Sequence, residues 1–123
     1  MSSYQAIVTA IKEAGGAVLS EIFVNDAILY GGSPLPVDEI YARDIAMINQ
    51  ADIVIAEVTN PSLGVGYELA YAENLHKPIL CLFNSAARSM LSAMIAGNAY
   101  FTTVDYQPSD IPVTTITQFI NKR

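Results

Sequence analysis

Residues 51–84, ADIVIAEVTNPSLGVGYELAYAENLHKPILCLFN, constrain the fold more than any other stretch of this chain. Residues 52–58 (DIVIAEV) and 78–83 (PILCLF) are short, almost unbroken apolar runs. Runs without alternation are expected where both faces of a strand are covered, as in parallel sheets. Between them lie a Gly-containing loop and a stretch of helical period over 64–76. Two parallel strands need a crossover of that kind. The segment therefore reads as strand, loop, helix, strand.

The same rhythm runs through the rest of the chain. Tyr4, Ile7, Val8 and Ile11 recur at helical spacing, so 4–14 is predicted helical and ends at Gly15-Gly16. Residues 17–24 (AVLSEIFV) read as a strand, and 25–36, with Gly31-Gly32-Ser33-Pro34 at its centre, as a loop. Helices are expected over 37–50, over 86–96 (ending at Gly97) and over 113–122, with a strand over 100–106. The order α-β-α-β-α-β-α-β-α implies an α/β fold, a doubly wound parallel sheet of flavodoxin or Rossmann type with helices on both faces. Residues 1–123 are expected to form a single domain. Ligands of such sheets bind at the carboxyl ends of the strands, which here are followed by loops 25–36, 59–64 and 84–88.

Hydrophobic residues make up 52% of the 123 positions and charged residues 15%, enough for a sizeable core and unlike a disordered chain. The net charge is −6, and the 6 Lys and Arg residues form no stripe. This argues against a nucleic-acid polymer as partner, because phosphate neutralisation supplies most of that affinity. A small anionic ligand is compatible with this charge, since helix N-termini and one arginine can hold a single phosphate. The lone Cys81 sits within Ile79-Leu80-Cys81-Leu82-Phe83 and reads as a small buried hydrophobe. No apolar run approaches the roughly 20 residues of a membrane span, and residues 1–16 lack the order of a signal peptide. A cytosolic protein is expected, or a nuclear one in a eukaryote.

Two carboxylates break the pattern. On a wheel of about 100° per residue, Val65, Leu69, Ala72, Leu75 and His76 share one sector of the helix at 64–76, and Glu68 falls inside it. Glu73 and Asn74 fall outside. In the helix at 37–50, Val37, Ile40, Tyr41, Met47 and Ile48 form the apolar face, and Asp44 lies within it. A buried carboxylate needs a partner or a function. Paired acids at a cleft can divide into nucleophile and acid/base through unequal environments. The plainer reading is that each caps backbone or pairs with Arg43 or a tyrosine.

The connecting loop Asn60-Pro61-Ser62-Leu63-Gly64-Val65-Gly66 offers a hydroxyl donor at Ser62 and close backbone approach at Gly64 and Gly66. It lacks the Gly-Lys-Ser/Thr of a phosphate-binding P-loop, and it is not a dinucleotide fingerprint. Glu57 alternates with Ile53 and Ile55 near the end of its strand, where it can support a site. His76 reads as a packed or capping residue at the far end of its helix, which disfavours a Ser-His-Asp triad. With one His and one Cys, a zinc site is not expected, and neither is any cofactor. Tyr67, Tyr71, Tyr100 and Tyr106 read as core or interface aromatics. Met and Leu in Arg88-Ser89-Met90-Leu91-Ser92-Ala93-Met94 read as packing residues.

ADIVIAEVTNPSLGVGYELAYAENLHKPILCLF, with RSMLSAMIAG beyond it, closely resembles the 2′-deoxynucleoside 5′-monophosphate N-hydrolases, relatives of the nucleoside 2-deoxyribosyltransferases. The resemblance covers about residues 4–123, and Pro61-Ser62-Leu63-Gly64-Val65-Gly66-Tyr67-Glu68-Leu69 is its most specific part. It implies that Glu68 attacks the anomeric carbon of the deoxyribose to form a glycosyl ester, which water then hydrolyses to deoxyribose 5-phosphate. It gives Asp44 the task of positioning the nucleophile and handling protons, and Ser62 a contact to the 5′-phosphate. Ser92, Ala93 and Met94 would reach the phosphate and sugar of a neighbouring subunit in a homodimer. Ser62 and Ser92 match the phosphate-binding branch, so hydrolysis is preferred over base exchange by a deoxyribosyltransferase.

The family opens with a strand and a Gly-containing loop that wraps the substrate. This sequence starts at what corresponds to the following helix, so the sheet is expected to lack that central strand. A nucleotide-binding module of impaired catalysis is therefore a third reading. The position after Ser20-Glu21, often histidine in the family, is Ile22, which bears on base recognition.

Overall fold

The computed structural model describes residues 2–15, 35–87 and 90–122. The elements are α1 (Ser3–Glu13), α2 (Val37–Gln50), β1 (Val54–Glu57), α3 (Leu63–Asn74), β2 (Ile79–Asn84), α4 (Ala93–Ala96), β3 (Thr102–Tyr106) and α5 (Val113–Asn121). The three strands form one parallel sheet in the order β1-β2-β3. Val54 pairs with Ile79 and Glu57 with Leu82, while Leu80 pairs with Thr102 and Asn84 with Tyr106. The fold is the α/β, Rossmann-like one expected.

Strand alternation divides the core into two layers. Leu80 and Leu82 point to the face covered by α1 and α5, where Ile7, Ala10, Tyr106, Ile116 and Ile120 are buried with them. Ile79 and Cys81 point to the other face, against Ile48 of α2 and Leu69 and Ala72 of α3. Leu69, Ile79, Leu80, Leu82 and Ile116 are the largest fully buried side chains. Each contributes about 1.5–3 kcal/mol relative to exposure in water.

Local sequence sets the helix ends. Ser2 and Gln5 form a reciprocal capping box at α1: Gln5 N–H donates to Ser2 Oγ at 3.1 Å, and Ser2 N–H to Gln5 Oε1 at 3.0 Å. Asp38 and Glu39 occupy the first turn of α2, where the helix dipole favours acids. At the end of α3, His76 N–H donates to the Glu73 carbonyl and Lys77 N–H to the Ala72 carbonyl. These are the two bonds of a Schellman motif, with His76 in the left-handed position at φ 60°.

Several expectations are corrected. The helix predicted over 86–96 is a turn at 85–87 followed, from Ala93, by the four-residue α4. Ser92 Oγ accepts from Met94 N–H at 3.3 Å, so a side chain takes a backbone donor that a longer helix would give to the Met90 carbonyl. Met90 and Met94, read as packing residues, are exposed, while Leu91 does pack on the core. Strand β1 is shorter than predicted and its four residues are only half-buried, because it borders the described part of the sheet while β2 is flanked on both sides. Val37 and Tyr41 were placed on the apolar face of α2 but are exposed among the described residues. Leu75 and His76, placed on the apolar face of α3, lie beyond its end and are exposed, because the Schellman turn stops the helix at Asn74. The strand predicted over 17–24, Ile22, and the Gly31-Gly32 loop lie outside the described residues.

Candidate active site

The carboxyl ends of β1 and β2 lead directly into the loops that carry the predicted site residues. After β1, the chain turns through Thr59-Asn60-Pro61 and enters α3 at Ser62. Ser62 is the N-cap: its Oγ accepts from Val65 N–H at 3.2 Å. A hydroxyl that accepts in this way keeps its own proton for donation. Ser62 is exposed, so that donor faces the space beyond the strand ends.

Gly64 and Gly66 lie in the first turn and a half of α3. A Cβ on Gly64 would meet only Ser62 Oγ, at 3.9 Å, and one on Gly66 would meet no atom within 4 Å among the described residues. Neither glycine has a positive φ. Packing among the described residues thus gives no reason for glycine at 66, whereas close approach of a ligand does.

Glu68 is half-buried beside buried Leu69. Its wheel position is therefore correct to the degree that it is partly withdrawn from water. Asp44 is also half-buried, and its Oδ1 accepts from Arg43 Nε at 3.2 Å, the ion pair that the plainer reading of Asp44 called for. Helices α2 and α3 pack side by side. Tyr41 and Tyr67 meet edge to face with ring centroids 6.2 Å apart, and their hydroxyls lie 3.4 Å apart. One to two turns on, Tyr71 Oη donates to Asn49 Oδ1 at 2.8 Å. These contacts bracket position 44 on one helix and position 68 on the other, which sets the two acids on adjoining stretches of neighbouring helices. The hydrogen bond to Tyr67 also raises the Tyr41 phenol above its ordinary value.

Ser92 caps α4 and is exposed, as are Ala93 and Met94. Their chain neighbours Leu91 and Ile95 pack on the same core layer as Val65 of α3. His76 lies at the opposite end of α3, as the triad argument required. There, Ala70, Glu73, Asn74, His76 and Tyr100 line a shallow surface depression of about 270 Å³. It opens toward the amino ends of the strands, where sheets of this kind do not bind ligands. Among the described residues, no three His, Cys, Asp or Glu side chains converge as metal ligands, and no helix is long and apolar enough to cross a membrane.

Glu57, which the sequence marked as able to support a site, has partners that the sequence pattern did not reveal. Glu57 accepts from Thr59 N–H at 2.7 Å, from Thr59 Oγ1 at 2.8 Å and from the Tyr106 hydroxyl. Burial, and then Glu57 itself, push the Tyr106 hydroxyl far above the usual phenol range, so it remains a donor. The period-two alternation Ile53, Ile55, Glu57 marked this carboxylate as inward. Its partner is 49 residues away, and no local period reveals that.

Comparison with known proteins bears on the whole chain. The profile of the family described as Nucleoside 2-deoxyribosyltransferase matches residues 2–114. A protein of Syntrophotalea carbinolica, provisionally named 2′-deoxynucleoside 5′-phosphate N-hydrolase 1, is 41% identical over 99 residues, which is 80% of this chain and 70% of the relative. The mouse protein named 5-hydroxymethyl-dUMP N-hydrolase is 41% identical over 112 residues, 88% of this chain and 65% of its own length. The zebrafish protein of the same name is 39% identical, over 88% of this chain and 78% of its own. This chain thus spans roughly two thirds to three quarters of these relatives.

Proposed function

The chain belongs to the nucleoside 2-deoxyribosyltransferase family, and from that premise we propose that it hydrolyses the N-glycosidic bond of 2′-deoxynucleoside 5′-monophosphates. The products are the free base and deoxyribose 5-phosphate. The observation that carries this reading is Glu68: a carboxylate half-withdrawn from water, six residues after an N-cap hydroxyl, on the helix that follows a parallel strand. The names of the bacterial, mouse and zebrafish relatives favour hydrolysis of a nucleotide over transfer between bases.

In the proposed mechanism, Glu68 attacks C1′ of the deoxyribose. A C1′–O bond forms to the carboxylate as the C1′–N bond breaks, and the base leaves with the bonding pair and takes up a proton. Water then adds at C1′ and releases Glu68 as a carboxylate. Two displacements retain the configuration, as in retaining glycosidases. Asp44, held by Arg43, orients the nucleophile and moves protons. The Ser62 hydroxyl and the open backbone at Gly64 and Gly66 receive the 5′-phosphate, aided by the first-turn N–H groups of α3.

A homodimer completes the proposal, with Ser92, Ala93 and Met94 reaching the partner's substrate. Its support is the exposure of large apolar side chains around the strand ends: Leu63 is 97% exposed, Met90 86% and Met94 82%. No cofactor takes part. The proposed compartment is the cytosol.

Incubation with each deoxynucleoside monophosphate tests the reaction. Base release by the wild type and none by Glu68→Ala is expected. Equal release by both would reject the role of Glu68. Base exchange with an unphosphorylated deoxynucleoside and added adenine would replace hydrolysis by transfer. Thermal stabilisation by nucleotide without any turnover would leave a binding module.

A further inference from the structure

Glu57 sits on the sheet face covered by α1 and α5, opposite the face that carries α3, so it is not among the groups that face Glu68. Its surroundings are unusual for a strand residue. The carboxylate takes three donors, from Thr59 N–H, Thr59 Oγ1 and Tyr106 Oη. Thr59 is 8% exposed and Tyr106 4%. Ile53 and Ile55 precede Glu57 on the same face and pack on the core. An apolar residue would continue that row without the cost of desolvating a charge, so stability alone is a weak reason for glutamate here.

What the carboxylate does is hold loops. The Thr59 hydroxyl oxygen accepts from Asn84 N–H at 2.9 Å, which ties the loop after β1 to the end of β2. Asn84 Oδ1 in turn accepts from Ala86 N–H, and the Tyr106 carbonyl accepts from Ser85 N–H at 2.9 Å and from Ser85 Oγ at 3.1 Å. Thr59 stands three residues before Ser62. One carboxylate thereby fixes where the loop to Ser62 and the loop at 84–87 leave the sheet.

We infer that Glu57 is a positioning residue: by clamping Thr59, and Asn84 through it, it sets the path of the loop that carries Ser62 and so governs recognition of the substrate phosphate. The inference rests on the proposed hydrolase reading for the identity of the phosphate.

The test uses Glu57→Gln and Tyr106→Phe in the full chain. A carboxamide at 57 turns an N–H group toward at least one of the three donors, and a phenyl ring at 106 deletes one donor while keeping the packing. With deoxynucleoside monophosphates, Glu57→Gln is expected to raise KM by roughly tenfold or more, the size of a lost hydrogen bond to a charged group. Its kcat should change far less, and binding of the unphosphorylated deoxynucleoside should not change. By amide hydrogen exchange, Thr59 and Asn84 should lose protection while Leu80 and Leu82 keep theirs. Tyr106→Phe should shift both readouts in the same direction by less. A wild-type KM in Glu57→Gln would overturn the inference, as would loss of Leu80 and Leu82 protection in step with Thr59. If the wild type turns over no deoxynucleotide, the hydrolase reading fails separately. Deoxynucleotide binding then decides: weaker binding to Glu57→Gln with Thr59 deprotected supports the clamp, and equal binding rejects it. If Glu57→Gln does not fold, the same criteria apply to Tyr106→Phe.

Discussion

The inside of the sheet and its carboxyl-end rim follow opposite rules. In β2, Ile79, Leu80, Cys81 and Leu82 are almost fully buried, and neighbours pair with the strand on both sides. At the rim, Val37, Tyr41, Leu63, Tyr67, Met90 and Met94 are exposed, and the half-buried groups include the carboxylates Asp44 and Glu68. The centre is satisfied by this chain alone. The rim carries exposed apolar surface. Core burial and the proposed chemistry thus lie at different places along the strand direction, so substitutions at the two should have separable effects.

The largest expected effect belongs to the rim. Glu68→Ala should lower the rate of base release by about 10³-fold or more while leaving the melting temperature close to wild type, since it removes the proposed nucleophile and no core volume. Loss of folding in this variant would collapse the distinction. Leu82→Ala is the reciprocal case. It should cost about 3–5 kcal/mol of unfolding free energy in denaturant titrations, with kcat of the folded fraction unchanged. A smaller loss would mean the centre is less tightly packed than its burial indicates.

Cys81 gives a pH signature of the centre. Burial pushes its thiol up to about 11 from an ordinary 9.0. The folded state therefore holds the proton more tightly than the unfolded one. Stability from this source is complete below pH 9 and is lost as pH rises toward 11, by about 2–3 kcal/mol at most. Cys81→Ala should flatten the fall in unfolding free energy between those values, and an unchanged slope would contradict the stated burial. The smallest effect is at the far end of α3. His76 holds φ 60°, and a non-glycine residue there carries a penalty of about 1 kcal/mol or more. His76→Gly should raise stability by up to that amount in thermal melts and leave turnover untouched.

These regions were not equally legible. The helix over 37–50 and the parallel strands were readable because period and apolar continuity are local properties. The partial burial of Glu68 and Asp44 was readable because a charge inside an apolar sector is visible on a wheel. The wheel failed at Leu75 and His76, since the Schellman turn ends α3 at Asn74 without the glycine that usually announces it. It failed again over 86–96, where the spacing of Met90, Leu91 and Met94 imitates a helix face but Ser92 takes the Met94 backbone donor and starts the short α4 instead. The Glu57–Tyr106 bond joins residues of different strands and is a property of register, which the sequence pattern does not contain.

The central claim is that Glu68 carries the deoxyribosyl group between base and water. The most direct measurement is the stereochemistry of methanolysis, followed by NMR during turnover of a deoxynucleoside monophosphate in dilute methanol. Double displacement through Glu68 predicts the β-methyl deoxyriboside 5-phosphate, with the configuration of the substrate retained, and its loss in Glu68→Ala. Formation of the α-anomer, or undiminished β-product from Glu68→Ala, would contradict the account.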